Sequence, residues 1–355
     1  MLRWIFHAQL LSAYSTVRTD CENCHVYSVL IMYPRRMLML KYTLQRIFYM
    51  TVVFLIITFI TFVLIRMLPP LPLDPMRPET LVVEARREAM GYNKPYIVQF
   101  GIFLKNIFTN FNWGVSEKLY YGQDVTKIFF EKLPPTMLVN LYSILGSIPI
   151  GIGLGIFAAL KKNSWIDYLI STATMVCISV PSFVYAFLIQ YFLSFKMNLF
   201  PFLMNSGTQY FTWSMFFSML PAVLALSFGV IAGFTRTTRA ELTEVLTSEF
   251  MLLARTKGLT KTQATVRHAM KNCMVVVLPS IFGSFVGILG GSLIIEKIFG
   301  IPGVGGLLLN AMNGRDYNVF IMVSCFYTLI SLLSSLVVDI SYGFIDPRIR
   351  MGSKK

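Results

Sequence analysis

Long windows without a charged residue recur along the chain and alternate with shorter segments that carry Lys and Arg. A helix needs about 20 mainly apolar residues to cross the roughly 30 Å of bilayer hydrocarbon. Pro201, Asn205 and Gly207 interrupt one apolar stretch, which predicts a short loop there. The pattern predicts six transmembrane helices, over residues 47–65, 136–160, 168–195, 219–235, 272–295 and 317–338. The predicted fold class is therefore an all-α, polytopic membrane protein.

The distribution of Lys and Arg predicts the orientation of these helices. Cytoplasmic loops of membrane proteins carry an excess of Lys and Arg close to the helix ends. One side of the predicted topology holds Lys41, Lys161, Lys162, the basic segment 236–271 and the basic carboxyl terminus. This side is predicted to be cytoplasmic, with both termini on it. The long loop 69–135 is then extracytoplasmic.

The composition changes this picture little. Of 355 residues, 55% are hydrophobic and 14% are charged, which excludes an ordinary soluble domain. The formal net charge of +14 is attributed to membrane topology and not to nucleic-acid binding, because the basic residues flank apolar blocks. The Cys21-x-x-Cys24-His25 pattern suggests covalent haem, but that chemistry needs export and this segment is predicted to be cytoplasmic. No metal site or other cofactor is expected.

The segment 236–271, between the fourth and fifth predicted spans, has the pattern of a helix, a turn and a second helix. Its apolar residues recur at helical spacing, Gly258 breaks the pattern, and Thr260 precedes a further helical pattern through Val266 and Met270. On periodicity alone, a solvated amphipathic connector is as good an explanation as a docking element. The apolar residues at this spacing are Leu242, Val245, Leu246, Phe250, Leu253 and Ala254.

Several short motifs occur in one order over the second half of the chain: Ala254-Arg255-Thr256-Lys257-Gly258-Leu259, Arg267-His268-Ala269, Gly290-Gly291, Glu296, Pro302-Gly303-Val304-Gly305, Arg315-Asp316-Tyr317 and Asp346-Pro347-Arg348-Ile349-Arg350. With them, the chain resembles the permease subunits of bacterial binding-protein-dependent ABC importers, in the dipeptide, oligopeptide and nickel branch. The resemblance covers residues 39–350. It departs from the family pattern at Leu252 and Leu253, where Glu and Ala are usual, and at Val276, where proline is common.

The resemblance implies a type I ABC importer fold in which the segment 236–271 holds the so-called EAA motif, a coupling helix that docks on a separate ATPase subunit. Carried over by position, the coupling residues are Glu249, Ala254 and Gly258. Phe250 and Leu253 are expected to supply an apolar docking face, and Leu259 comes directly after the turn. A small residue at position 254 permits close approach, and glycine at position 258 permits a sharp reversal.

Gly283, Gly287 and Gly291 recur at four-residue spacing in the fifth predicted helix, which is typical of a face where another helix packs closely. They are predicted to serve helix packing or to line a pore. Static packing explains any single glycine equally well. Glu296 lies at the predicted end of this helix, where an interfacial position is expected, and a role in the solute path is one interpretation of it.

The chain has no G-x-x-x-x-G-K-[ST] phosphate loop, so ATP hydrolysis is expected on a partner and the chain is not expected to be an enzyme. The resemblance implies these partners in a bacterial inner or plasma membrane: a homologous second permease, two ATPase subunits and an extracytoplasmic solute-binding protein. The predicted solute is a peptide, with a nickel complex or glutathione as alternatives. An ion-coupled secondary transporter and a membrane-embedded enzyme are the competing functions.

The predicted organisation of the chain rests on these assignments. Residues 1–38 form an N-terminal extension, and Met39 is a natural start for the first transmembrane helix. This helix occupies 39–68, and the extracytoplasmic loop occupies 69–135. The importer transmembrane domain occupies 136–350 with its coupling loop at 236–271, and 351–355 form a cytoplasmic tail.

Overall fold

A computed structural model describes residues 24–69, 72, 76, 80–207 and 209–345. They fall into two compact units, and the boundary between the units lies between Tyr49 and Met50. The first unit holds the start of helix α1 (Cys24–Arg66). Most of the predicted extension, the 346–350 motif and the tail 351–355 lie outside the described residues.

The second unit holds the rest of the chain and is built of helices. Within the described ranges there is no β-strand, and only an isolated bridge joins Val115 and Asp124. After α1 the helices are α2 (Thr80–Ala89), α3 (Tyr96–Asn110), α4 (Val125–Leu160), α5 (Trp165–Ser179), α6 (Ser182–Lys196), α7 (Trp213–Leu246), α8 (Glu249–Thr256), α9 (Lys261–Gly290), α10 (Leu293–Ile298), α11 (Val304–Gly314) and α12 (Tyr317–Ile345).

Five of these helices are long and apolar enough to cross a membrane: α1, α4, α7, α9 and α12. The pair α5 and α6 passes the same test together but is bent by 97°, so the count reaches six if the pair is one span. The all-α, polytopic fold class is confirmed. The predicted loop before the fourth span is also present, since α7 begins at Trp213.

Two predicted spans differ from the structure. The window 168–195 is broken at Val180 and Pro181, because proline disfavours helical dihedrals in the residue before it and Val180 is extended (φ −87°, ψ 125°). The window 272–295 was predicted as one helix that ends beside Glu296. Instead α9 ends at Gly290, Gly291 has a left-handed φ of 58°, and Glu296 lies in the separate helix α10.

Helices α4 and α7 run side by side and form the centre of the second unit. A Cβ atom on Gly151 would come 2.8 Å from the Ile231 carbonyl oxygen, and one on Gly155 would come 2.7 Å from Cβ of Thr238. Only glycine allows this separation, as at small-residue interfaces between membrane helices. The carboxyl ends of α4 and α7 lie together with α8 and the start of α9, and we call this end of the unit the α8 end.

Candidate functional site

Helix α8 is a separate short helix that packs against the carboxyl ends of α4 and α7 and the start of α9. The sequence pattern predicts one helix from Leu242 through Ala254, but the chain leaves the α7 helix at Thr247 and Ser248. Ser248 is extended (φ −75°, ψ 154°) and its hydroxyl donates to the Val245 carbonyl oxygen, which turns the chain before α8 starts. One face of α8 is buried, because Met251 and Ala254 pack in a cluster that includes Leu242 and Ala264.

The other face of α8 is apolar and uncovered. Phe250, Leu252 and Leu253 are 42%, 66% and 56% exposed. Large apolar side chains grouped on an exposed surface are typical of an interaction site. Glu249 is also exposed and lies in the first helical turn, where a carboxylate is favoured by the helix dipole. Leu252 was identified from sequence only as a departure from the family pattern, yet it shares this exposure.

The chain reverses direction directly after α8, at Gly258. This residue has φ of 91°, which L side chains rarely adopt, and no atom lies within 4 Å of the position that a Cβ would take. The Leu259 amide donates to the Ala254 carbonyl oxygen at 3.3 Å, which closes the turn. Thr260 and Gln263 then form a reciprocal capping box that starts α9. Ala254, predicted to permit close approach, makes that approach to this chain's own helices.

The three glycines predicted on one face of the fifth span have different surroundings. Gly283 is buried, and a Cβ there would come 2.6 Å from Cγ2 of Val338, so α9 packs closely on α12 at this point. Gly287 is exposed and has open space beside it. Gly291 lies outside the helix, at the turn between α9 and α10. Their four-residue spacing in sequence therefore does not form one continuous face.

Glu296 is buried, with only 2% of its surface exposed, and its carboxylate is fully engaged by neighbouring groups. The Thr136 hydroxyl donates to Oε1 at 2.8 Å, and the Gly306 amide donates to Oε2 at 3.1 Å. The Thr136 hydroxyl also accepts a hydrogen bond from the Val304 amide at 2.8 Å. This carboxylate joins α4, α10 and the start of α11. Thr136, Gly291, Gly303 and Gly305 enclose the side chain within the protein, while its interfacial depth stays a prediction.

A polar cluster that sequence reasoning missed lies at the opposite end of the unit from α8. Glu117 is buried and accepts hydrogen bonds from the Arg87 guanidinium (3.2 Å from Nε) and from the Tyr92 hydroxyl (2.9 Å). Beside it, buried Asp316 accepts from the backbone amides of Lys118 and Leu119 at 3.1 and 3.0 Å. The cluster fastens the loop before α4 to the start of α12. The Arg315-Asp316-Tyr317 motif marked one part of it in the sequence.

Burial raises the pKa of Tyr92 to about 12, while the nearby guanidinium of Arg66 acts in the opposite direction. Cζ of Arg66 lies 3.8 Å from the centroid of the Tyr92 ring, a cation–π distance. Because Tyr92 stays neutral at ordinary pH, its hydroxyl remains available as a donor to Glu117. Over the described residues, no group of three or more His, Cys, Asp or Glu side chains is arranged to hold a metal ion.

Comparison with known proteins supplies the family. Residues 151–351 match the family model described as "Binding-protein-dependent transport system inner membrane component". Residues 39–137 match the model of the N-terminal region of the same kind of membrane component.

Three curated relatives are similar over nearly their whole length. The Dipeptide transport system permease protein DppB of Lactococcus lactis subsp. cremoris is 33% identical over 88% of this chain and 100% of its own. The protein of the same name from Bacillus subtilis is 33% identical over 89% and 100%. The Oligopeptide transport system permease protein OppB of Haemophilus influenzae is 30% identical over 88% and 100%.

Proposed function

Since the chain belongs to the family of binding-protein-dependent transport system inner membrane components, we propose that it forms, with a homologous second permease, the path of an ATP-driven importer for peptides. Members of this family are multi-pass membrane permease subunits of ABC importers and not enzymes. Membership implies an ATPase and a solute-binding protein as partners. It favours ATP-driven import over the ion-coupled and enzymatic alternatives.

The observation that carries the proposal is the two-sided construction of α8. Its buried face, with Met251 and Ala254, fixes it to the ends of the membrane helices, and its exposed face offers Phe250, Leu252 and Leu253 to a partner. A movement of that partner would therefore pass directly into α7 and α9. Glu249, Gly258 and Leu259 complete this coupling segment by starting and ending the helix.

In this proposal the two permeases and two ATPases assemble at the membrane of a bacterial cell, and an extracytoplasmic solute-binding protein delivers the peptide to them. The α8 end faces the cytoplasm, because Lys161, Lys162 and the basic segment 236–271 all lie there. Both termini are on the same side. Peptide as the solute is supported by the relatives, which are named as dipeptide and oligopeptide permeases.

The remaining predicted residues take structural roles in this proposal. Gly283 lets α9 pack on α12, and Glu296 holds α10 and α11 against α4. Gly287 and Gly291 line an open recess, which we assign to the wall of the path.

The experiment is peptide uptake into proteoliposomes that contain both permeases and both ATPases, with the binding protein added on one side. Uptake of a labelled tripeptide should require ATP inside the vesicle and the presence of each partner. An importer without its ATPases is the matched control and should show no uptake. Uptake by this chain alone, driven by an ion gradient, would refute the proposal.

A further inference from the structure

A recess of about 700 Å³ opens between the end of α9, the start of α6 and the middle of α12. None of the described residues that line it is Lys, Arg, His, Asp or Glu. Half of its lining residues carry hydroxyl groups, and three more are glycines. We call it the serine recess, after Ser182, Ser292, Tyr327, Ser331, Ser334 and Ser335, which line it with Gly287, Gly290 and Gly291.

The serine recess lies at the depth of the membrane interior. Ser331 is the middle residue of α12 (Tyr317–Ile345), so about 21 Å of helix extends to either side of it at 1.5 Å per residue. Hydroxyl groups clustered at this depth gain little from hydrocarbon contact, and in membrane proteins such groups face other helices or water.

Two broken helices meet at the serine recess. The break between α5 and α6, with its 97° bend, brings Ser182 to the recess, and the break after α9 brings Gly290, Gly291 and Ser292 to it. Irregular backbone at membrane depth is tolerated where it is buried in protein or lines a water-filled cavity. The irregular backbone at the recess therefore faces either water or another protein chain, and not lipid.

One hydroxyl in the recess has no hydrogen-bond partner. The oxygen of Tyr327 is buried, yet none of the described residues bonds to it. It lies beside the helix break, because a Cβ on Gly291 would come within 3.5 Å of it. An unpaired buried hydroxyl is costly, so a water molecule or another group that reached this oxygen would remove the cost.

We propose that the serine recess is this chain's half of the solute site and that it binds the uncharged main-chain amides of a peptide. The inference rests on the proposed function, in which the solute is a peptide. A hydroxyl both donates and accepts hydrogen bonds, which suits an amide group that presents an N–H and a carbonyl oxygen. An uncharged wall offers no ion pair to any peptide side chain, so the recess tolerates side chains of either charge.

The composition of the recess also disfavours direct binding of a bare nickel ion. A nickel ion is bound by imidazole, thiolate or similar ligands, and the described lining has no His, Cys, Asp or Glu. Ser334 and Ser335 already donate to the carbonyl oxygens of Gly283 and Ser331, at 3.0 and 3.1 Å, which leaves their lone pairs to accept from a ligand N–H.

The test compares two double variants of the complete importer in proteoliposomes. Ser331→Ala with Ser335→Ala removes two hydroxyls from the wall of the recess. Ser324→Ala with Ser341→Ala removes two hydroxyls from the same helix outside the recess and is the matched control. Each importer is assayed with tri-alanine and with tri-alanine N-methylated at the amide nitrogen of its second residue, which lacks one N–H donor. The binding protein is the same throughout, so its own preference cancels when variants are compared.

The recess variant should import tri-alanine about tenfold less efficiently than wild type, equivalent to about 1.4 kcal/mol, while the control variant matches wild type. N-methylation should weaken import by the wild type. It should cause little further loss in the recess variant, because that variant already lacks the Ser331 and Ser335 hydroxyls that accept from the peptide N–H. Ser331→Thr with Ser335→Thr, which keeps both hydroxyls, should restore import.

The possible failures are distinguishable. If the wild type imports tri-alanine and the recess variant matches the control, the recess inference is wrong and the proposed function stands. If the recess variant loses import but responds to N-methylation as the wild type does, the recess does not bind main-chain amides. If the wild type imports no peptide, the proposed function is wrong, and so is the inference that the recess binds a peptide.

Discussion

The Thr136 hydroxyl and the Glu296 carboxylate are joined by a buried hydrogen bond of 2.8 Å, although 160 positions separate them in sequence. The same hydroxyl accepts from the Val304 amide, so one threonine in α4 satisfies both the carboxylate of α10 and the start of α11. Glycines 303 and 305 leave room for this arrangement, because a Cβ on either would overlap the Glu296 carboxylate.

Replacing Thr136 with valine should therefore destabilise the folded permease. Thr136→Val keeps the side-chain shape but leaves the Glu296 carboxylate and the Val304 amide each without this partner. The expected loss is about 1–3 kcal/mol for a buried polar group without its partner. Thermal unfolding of the purified protein measures it. Thr136→Ser, which keeps the hydroxyl, should unfold much closer to wild type, and a Thr136→Val protein as stable as wild type would contradict the role of these hydrogen bonds.

Replacing Gly258 with any other residue should impair transport because of the backbone conformation at this position, and not because of a steric clash. Its φ of 91° disfavours a Cβ by about 1–2 kcal/mol, while its surroundings are open. Gly258→Ala should lower ATP-dependent uptake several-fold by distorting the reversal after α8.

The matched control for this change is Gly233→Ala. Gly233 lies inside α7, and no atom lies within 4 Å of its Cβ position. Since alanine favours a helix over glycine, this control should be neutral or slightly stabilising. Equal activity of the two alanine variants would contradict a conformational role for Gly258.

The exposed face of α8 should be required for coupling. Phe250→Asp with Leu253→Asp replaces two apolar side chains that each gain about 1.5–3 kcal/mol on full burial, so uptake should fall at least tenfold. The amount of ATPase that copurifies with the permease should fall with it. Thr262→Asp adds a charge at an exposed position in the first turn of α9 and should leave both quantities unchanged. Full copurification with the α8 variant would exclude this face as the docking surface.

The stability contributed by Tyr92 should depend on pH in the alkaline range. Its folded pKa of about 12 exceeds the ordinary value of 10.0, so the neutral form is favoured by folding. The contribution is fully present below about pH 10 and is lost as pH rises through about 12. Tyr92→Phe removes the titrating group and the hydrogen bond to Glu117.

Unfolding free energies of wild type and Tyr92→Phe, measured by denaturant titration from pH 8 to pH 12, check this prediction. Their difference should be constant up to about pH 10 and should then shrink as the wild type loses its advantage. A difference that stays constant to pH 12 would contradict the burial of the phenol.

The sequence predicted the helical architecture well because apolar windows report membrane spans directly. It failed at the breaks within those windows. The window 168–195 contains Pro181 without any charged residue, so hydropathy gave no sign of the 97° bend. Gly290 and Gly291 lie inside another apolar window, and only their backbone dihedrals reveal where α9 ends.

The sequence predicted those parts of the candidate site that depend on neighbouring residues, and it did not predict those that depend on distant segments. Local signals located Gly258 and the start of α9, since turns and caps depend on neighbouring residues, but they did not show the break at Thr247 and Ser248 that separates α7 from α8. The partners of Glu296, Glu117 and Asp316 come from distant segments, and no local pattern specifies them. The serine recess also depends on distant segments, because α6, α9 and α12 each supply only part of its wall.

Crosslinking from α8 in the assembled importer tests the central claim most directly. A Leu253→Cys variant carrying a thiol-specific photocrosslinker should form an ATPase adduct, and its yield should change when ATP is added. The same crosslinker on Asn310→Cys, at the opposite end of the unit, should give no ATPase adduct. Failure of the Leu253→Cys crosslinker to reach the ATPase, or labelling of that cysteine from outside the cell by an impermeant reagent, would contradict the account.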